Sequence, residues 1–338
     1  MSQPDNAPSP ELFFQAIGGF QQTAMIRTAL ELDLFAAFGG ELCSAAQLAE
    51  RIDAAPRGVR ILCDALVVAG FLTKERDAYA QTIDTATFLD SKSPAYLGGA
   101  RDLLLSDKLR DGYAMLTEAV RTGRTALDGQ GSVTPEDDMW VTFARSMAPT
   151  MAMPARLMAE LVEVDPSRTV KVLDIAAGHG LFGLGFAEKN PNVEVTALDW
   201  KNVLQVAREN AAARGLADRY ATIVGDAFEV DFDGGYDLVL LTNFLHHFDP
   251  PTCESLLAKV HKALQEGGRV VTLEFVPNDD RISPPMPALF AMTMLVTTPA
   301  GDAYTFSKLE AMAAAAGFSR SEFHPLEPTY QSVVISYK

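Results

Sequence analysis

The sequence predicts an α/β protein: a Rossmann-like parallel sheet with helices on both faces and a C-terminal antiparallel hairpin, preceded by a mostly helical winged-helix domain. Three observations carry that expectation. Val170 to Trp200 reads as a buried strand (170–175), a small-residue loop (176–180), a helix (181–189) and a second strand (193–198) ending on Asp199, which is a nucleotide-binding βαβ unit. Strands and helices keep alternating after it, as a parallel sheet requires, and two short strands near 319–325 and 331–337 can pair as an edge hairpin. Ahead of it, residues 44–82 spell helix, turn, helix and two-stranded wing.

In chain order, apolar residues recur at helical spacing from Glu11 to Phe38, with Gly18-Gly19 and Asp33 as expected breaks, so two helices are expected. The first is unusually aromatic for a terminal helix, which points to packing against something outside its own domain. Ser44 and Gln47 form a capping-box pattern ahead of a short helix through Arg51. Pro56 opens the next helix, Gly70 stops it, and 71–73 with 79–82 make the wing. The expected domains are 1–93 (winged helix), 94–165 (helical connector contributing to a pocket) and 166–338 (nucleotide-binding domain). In the connector, Trp140, Phe143, Met147, Met151 and Met153 read equally as core filling and as the wall of a pocket for a flat apolar ligand. After Asp199 come a helix (202–214), strands at 221–224 and 236–241, a helix (252–264), a Gly267-Gly268 turn and a strand (269–275). A proline-rich insertion, an apolar helix and a helix at 307–316 complete the alternation.

The 338 residues suffice for two domains, and a formal charge of −16 opposes non-specific binding to nucleic acid or anionic membrane. The second helix of the winged motif carries only Arg57 and Arg60, short of the basic footprint that phosphate contacts need. Neither a nucleic-acid nor a membrane partner is expected. Cys43, Cys63 and Cys253 are odd in number and far apart, so neither a disulfide framework nor a zinc site is indicated. With no signal-like start and no membrane-spanning apolar run, a cytoplasmic protein is expected.

In an open α/β sheet the ligand binds beyond the carboxyl ends of the strands. Gly178, Gly180 and Gly183 stand at G-x-G-x-x-G spacing, which by itself fits a dinucleotide. Asp174, inside the strand, would repel a pyrophosphate seated at the loop and helix N-terminus. S-adenosyl-L-methionine (SAM) has no phosphate and brings an ammonium, a sulfonium and a ribose diol, so it is expected over NAD. The candidate cofactor contacts are Asp174, Ala176, Gly178 and Gly180 in the first unit and Asp199 for the ribose hydroxyls. Trp200 or Phe228 would stack on the purine, Asp226 with Ala227 would meet the exocyclic amine, and Asn243 follows the next strand. The competing reading of each acid is a helix cap or a turn. His246, at a strand end beside a sulfonium cofactor, suits a general base, because an ordinary histidine accepts a proton near neutral pH. Adjacent histidines point apart and no third ligand lies at helical spacing, so no metal is expected. Phe143, Met147, Phe290 and Met294 are the candidate acceptor pocket.

The stretches V-L-D-I-A-A-G-H-G (172–180), G-D-A-F (225–228) and H-H-F-D-P-P-T-C (246–253) resemble the motifs of the SAM-dependent O-methyltransferases with an N-terminal winged-helix dimerisation domain, over residues 11–338. The resemblance implies a class I methyltransferase sheet, SAM as donor with S-adenosyl-L-homocysteine (SAH) as product, and a homodimer with intertwined N-terminal domains. It implies methylation of a hydroxyl on a small, largely apolar metabolite, with His246 as base and Glu274, in L-E-F-V-P, as the carboxylate orienting it. Two positions depart from the family pattern. Its second acid beside the histidine, in a G-x-E-R-T-like stretch, is Ala303 here with Asp302 one residue before, and the lysine of plant members four residues before the histidine is Thr242. They leave open an S- or N-acceptor that is already nucleophilic, a use of SAM without methyl transfer, and which of His246 and His247 is the base. A ligand-sensing winged-helix regulator and an NAD-dependent oxidoreductase are the competing classes.

Overall fold

The computed structural model describes residues 8–134 and 137–338; the polar start Met1–Ala7 and two residues of the connector lie outside them. Contacts divide the chain into two compact units, Met1–Arg101 and Asp102–Lys338.

The first unit contains α1 (Glu11–Glu31), α2 (Leu34–Ala37), β1 (Cys43–Ser44), α3 (Ala45–Arg51), α4 (Pro56–Val68), β2 (Leu72–Glu75), β3 (Ala78–Gln81) and α5 (Ile83–Phe88). Its small sheet has the order β1-β3-β2, antiparallel throughout, so the wing gains a third strand that the sequence did not announce. The expected break at Gly18-Gly19 is absent and α1 runs straight through. Glycine weakens a helix by about 1 kcal/mol but neither removes a donor nor clashes as proline does. The break falls only at Asp33, which adopts a left-handed φ of 49°. The capping box forms: Gln47 N donates to Ser44 Oγ and Ser44 N donates to Gln47 Oε1. Phe35, Phe38, Leu48, Leu66 and Tyr79 fill the core. On α1, by contrast, Leu12, Phe13, Phe14, Ile17 and Phe20 are 63–81% exposed.

From the junction the chain continues through α6 (Arg101–Leu104), α7 (Asp107–Ala114), α8 (Leu116–Thr122) and α9 (Met139–Leu161). The alternating part follows as β4 (Val170–Ile175), α10 (Leu181–Lys189), β5 (Val193–Asp199), α11 (Lys201–Ala213), β6 (Tyr220–Val224), β7 (Tyr236–Thr242), α12 (Pro250–Ala263) and β8 (Leu264–Glu274). It ends with α13 (Pro285–Thr297), α14 (Phe306–Ala315), β9 (Arg320–Pro325) and β10 (Ser332–Tyr337). The sheet order is β6-β5-β4-β7-β8-β10-β9, with the first five strands parallel and β10 antiparallel to both neighbours. The terminal hairpin is therefore where the alternation predicted it. The expected Gly267-Gly268 turn lies inside β8 as an irregularity: pairing with β7 jumps from Leu264 to Arg269, and Gly267 takes a φ of 75°.

Two cores flank the sheet. Val170 and Val172 of β4 pack with Met158, Leu184 and Phe186, while Leu173 and Ile175 pack with Leu256, Val260 and Met312. This is the two-residue period of a strand buried on both sides. It also decides where Asp174 goes, because that residue shares the face of Val172 and looks toward α10. The chain leaves β4 for β5 on one side and returns to β7 on the other. That switch of direction opens a crevice beyond the strand ends.

Candidate active site

A cavity of about 430 Å³ occupies that crevice. Ala176, Gly178, Asp199, Trp200, Asp226, Ala227, Phe228 and Asn243, all proposed from sequence, line it. Asp199, at the end of β5, ties the glycine loop to the next helix: Gly178 N donates to its Oδ2 at 2.8 Å and Trp200 N to its Oδ1 at 2.7 Å. Burial is the main reason its carboxyl is pushed up, to about 6, against the opposing pull of those two N–H groups. At the far wall Phe228, Phe244 and Phe248 stand edge-to-face or tilted, 4.9–6.2 Å apart, beside Asp226. Asp226 Oδ1 accepts from Phe228 N at 2.8 Å, and Lys259 Nζ donates to Ala227 O at 2.9 Å, which fixes this turn. Asn243 has a left-handed φ of 54°, and its Oδ1 accepts from Gln331 Nε2 at 2.5 Å. Gln331 comes from the turn before β10.

Asp174 and Gly180 are not on the wall. Asp174 is fully buried, its Oδ2 accepts from Gly183 N at 3.0 Å, and burial pushes its carboxyl up to about 8. It braces the start of α10, so the argument that drew the cofactor's identity from Asp174 loses its premise. The acids that face the cavity are Asp199, Asp226 and Asp249. Gly180 is required by packing, because at its φ of 75° a Cβ would lie 2.4 Å from the Tyr220 hydroxyl and 3.0 Å from Ala207. Of the proposed acceptor pocket only Phe143 is on the wall. Met147 lies on the face of α9 that packs into the core below, and Met294 is buried in α13. Phe290 stacks on Phe275 and sets its ring edge-on to His246 at 4.8 Å.

The histidine pair sits in a 3₁₀ turn, Leu245–His247, after β7. Glu274, from the end of β8, accepts from Phe244 N at 3.1 Å and Leu245 N at 2.9 Å, and its second oxygen takes the Nδ1 of His246. A carboxylate only accepts, so the ring proton resides on Nδ1 and Nε2 keeps its lone pair. Glu274 and His246 are both buried and neither is on the cavity wall. His247 is on the wall. Its ring lies 4.3 Å from that of His246 and edge-on to Trp140 at 5.3 Å, and its Nδ1 has no partner. Burial, helped by His246 alongside, holds its pKa well below the ordinary value.

Sequence reasoning did not find Ser132 or Asp249, which line the cavity together with His179 of the glycine loop. The His179 Nδ1 accepts from Leu181 N at 3.1 Å, and burial lowers its pKa to about 4. Asp249 caps α12 through Thr252 N at 3.0 Å, and the D-P-P sequence could have flagged that cap. No group of three or more His, Cys, Asp or Glu side chains that could hold a metal occurs among the described residues.

The donor set suits a cationic nucleoside ligand. Three carboxylates face the cavity, no Lys or Arg among the described residues does, and the aromatic trio offers an edge for a purine. The chain belongs to the O-methyltransferase family: the profile of the O-methyltransferase domain matches residues 113–319, and that of the O-methyltransferase dimerisation domain matches residues 14–91. It is a SAM-dependent methyltransferase. Among solved structures it is similar to an O-methyltransferase from Nostoc punctiforme, with 49% identity over 98% of this chain and 100% of that one and a TM-score of 0.94. Human N-acetylserotonin methyltransferase in complex with SAM shares the fold at 21% identity, with a TM-score of 0.83 over 100% of this chain and 99% of that one. Among curated relatives, 3-hydroxy-5-methyl-1-naphthoate 3-O-methyltransferase of Streptomyces sahachiroi is 29% identical over 298 residues, 87% of this chain and 86% of the relative.

Proposed function

We propose that the protein transfers the methyl group of SAM to a hydroxyl of a small, largely apolar acceptor, with His246 as general base. The observation that carries this reading is the His246–Glu274 pair, which fixes the ring proton on Nδ1 and leaves Nε2 free to take a hydroxyl proton next to the cofactor cavity. Bound SAM supplies an electrophilic methyl group. Asp199 and the loop it ties at Gly178 would hold the ribose end, and Asp226 with Phe228 would hold the base. Asn243, braced by Gln331, would flank the reacting end, and Phe290 stands edge-on against the His246 ring. Positioning of the two reactants supplies much of the rate. The test is transfer of a labelled methyl group from SAM to matched phenol, thiol and amine acceptors. The phenol is expected to be the acceptor, and labelling of the thiol or amine alone would replace this reading with S- or N-methylation.

The apolar face of α1 supports a homodimer. Five large side chains exposed on one helix form the kind of patch that an association surface leaves on an isolated chain. Exchanging Phe13 and Phe20 for glutamate is expected to halve the mass in sedimentation equilibrium, and a monomeric wild type would end the proposal.

A further inference from the structure

The turn that carries His246 is held by Glu274 on one side and by a strip of chain between α13 and α14 on another. Gly131 of the connector presses on Thr297 O, where a Cβ would come within 2.2 Å, and Gly301 presses as closely on His246 O. Between those clamps Pro299 and Ala300 line the cavity. Past the second clamp the strip meets the histidine turn at two carbonyls. Asp302 N donates to His246 O at 3.0 Å, and the Tyr304 hydroxyl donates to Phe248 O at 2.5 Å. Arg281, in the loop after β8, pairs with the Asp302 carboxylate and ties this part of the strip down. From α12, the Cys253 thiol donates to Leu245 O at 3.3 Å. Burial, with the Glu274 charge nearby, pushes that thiol up to about 12, so it keeps its proton.

Glu274 is the only side chain among the described residues that is hydrogen-bonded to the His246 ring, and Ala303, buried next to Tyr304 in the chain, brings no second carboxylate. A ring fastened at Nδ1 alone can pivot on that bond. Where its Nε2 points therefore depends on how firmly the backbone at 245–248 is held. Tyr304 is the one side chain of the strip that reaches this backbone. It is 5% exposed, and burial pushes its phenol above the ordinary range, so it remains a donor. Its ring belongs to the same apolar core as Leu245, Cys253 and Leu309. Without the hydroxyl, Phe248 O would keep only the Cys253 Sγ at 3.7 Å, whose single proton lies nearer to Leu245 O. A carbonyl shut in without a donor is costly, so the turn would open toward water.

We propose that Tyr304 is a positioning residue for the methyl transfer: by holding Phe248 O it fixes the turn on which Glu274 orients His246, and so aims Nε2 at the acceptor. This rests on His246 acting as the base, as proposed above, and adds a residue that is itself off the cavity wall.

The first readout is the Nδ1 proton of His246, followed by NMR in the full-length protein carrying isotope-labelled histidine. Saturating SAH, which binds the folded form, keeps the variants folded. The signal is the one that His246→Ala deletes. In Tyr304→Phe, which keeps the ring in the core, this proton is expected to exchange with solvent about tenfold faster, as opening of a turn that has lost one hydrogen bond allows. The Nε2 proton of His179, whose Nδ1 is taken by Leu181 N, should exchange at the wild-type rate. The second readout is kcat with the phenol of the transfer assay. Tyr304→Phe is expected to lower it about tenfold in the wild-type background and less than about twofold in His246→Ala, with the Kd for SAM within about threefold throughout. Unchanged exchange at His246, exchange that quickens equally at His179, or a kcat loss of the same size in both backgrounds overturns the proposal. Since exchange needs no methyl transfer, the expected exchange pattern in a protein that methylates nothing would sink the catalytic reading and leave Tyr304 as the residue that holds the turn.

Discussion

Replacing His246 with alanine is expected to lower kcat by about 10²- to 10⁴-fold, the range that a positioned general base supplies. The Kd for SAM should change by less than about twofold, because His246 lies off the cavity wall and Glu274 keeps its hold on Phe244 N and Leu245 N without it. The loss should shrink as pH rises toward the acceptor's own pKa, since an ionised phenol needs no base. That partial recovery separates a missing base from a distorted site, which would stay slow at every pH. His247→Asn is the control, for it changes the wall and leaves the Glu274 pair in place, so its effect belongs in the KM for the acceptor. Full turnover by the His246→Ala protein would show that the acceptor is already nucleophilic. It would also make the Ala303 found where relatives place an acid understandable, since a base that is not used needs no second carboxylate.

Asp199→Ala should weaken SAM binding about 100-fold, as expected when a half-buried carboxylate is lost along with the hydrogen bonds it accepts. The effect has two parts: a negative charge facing a cationic ligand disappears, and Gly178 N and Trp200 N lose their acceptor. The pH dependence of the wild type isolates the first part. An acid whose pKa is raised to about 6 is ionised above that pH, so the attraction for the cation is present above about 6 and fades as pH falls through it. Calorimetry should therefore show wild-type affinity for SAM declining below about pH 6, with Asp199→Asn flat over the same interval. A variant within threefold of wild type would remove Asp199 from the cofactor site.

Much of this site was legible because its residues stand at strand ends. The hydrophobic runs at 170–175, 193–198, 221–224 and 236–241 located the ends, and Asp199, Asp226, Phe228 and Asn243 followed from the rule that ligands bind there. Asp174 misled, although the same strand period that places Val172 toward α10 places Asp174 there too. Gly180 fitted a ligand-binding pattern while serving the contact with Tyr220. Met147 and Met294 could not be assigned from composition, because an apolar residue on a helix reads alike whether its face meets a core or a cavity. Ser132 and Gln331 were out of reach for another reason. Each arrives from a segment distant in the chain, and nothing in its own neighbourhood marks it.

The strip between Thr297 and Gly301 bears on how this enzyme could change its diet. Its two ends meet backbone so closely that neither Gly131 nor Gly301 can take on even a methyl group, and the Gly301 end touches the carbonyl of His246 itself. Pro299 and Ala300, between them, face open space. Descendants of this chain can therefore trade side chains at those two positions, reshaping what is accepted, while the clamps keep the histidine and its carboxylate in register.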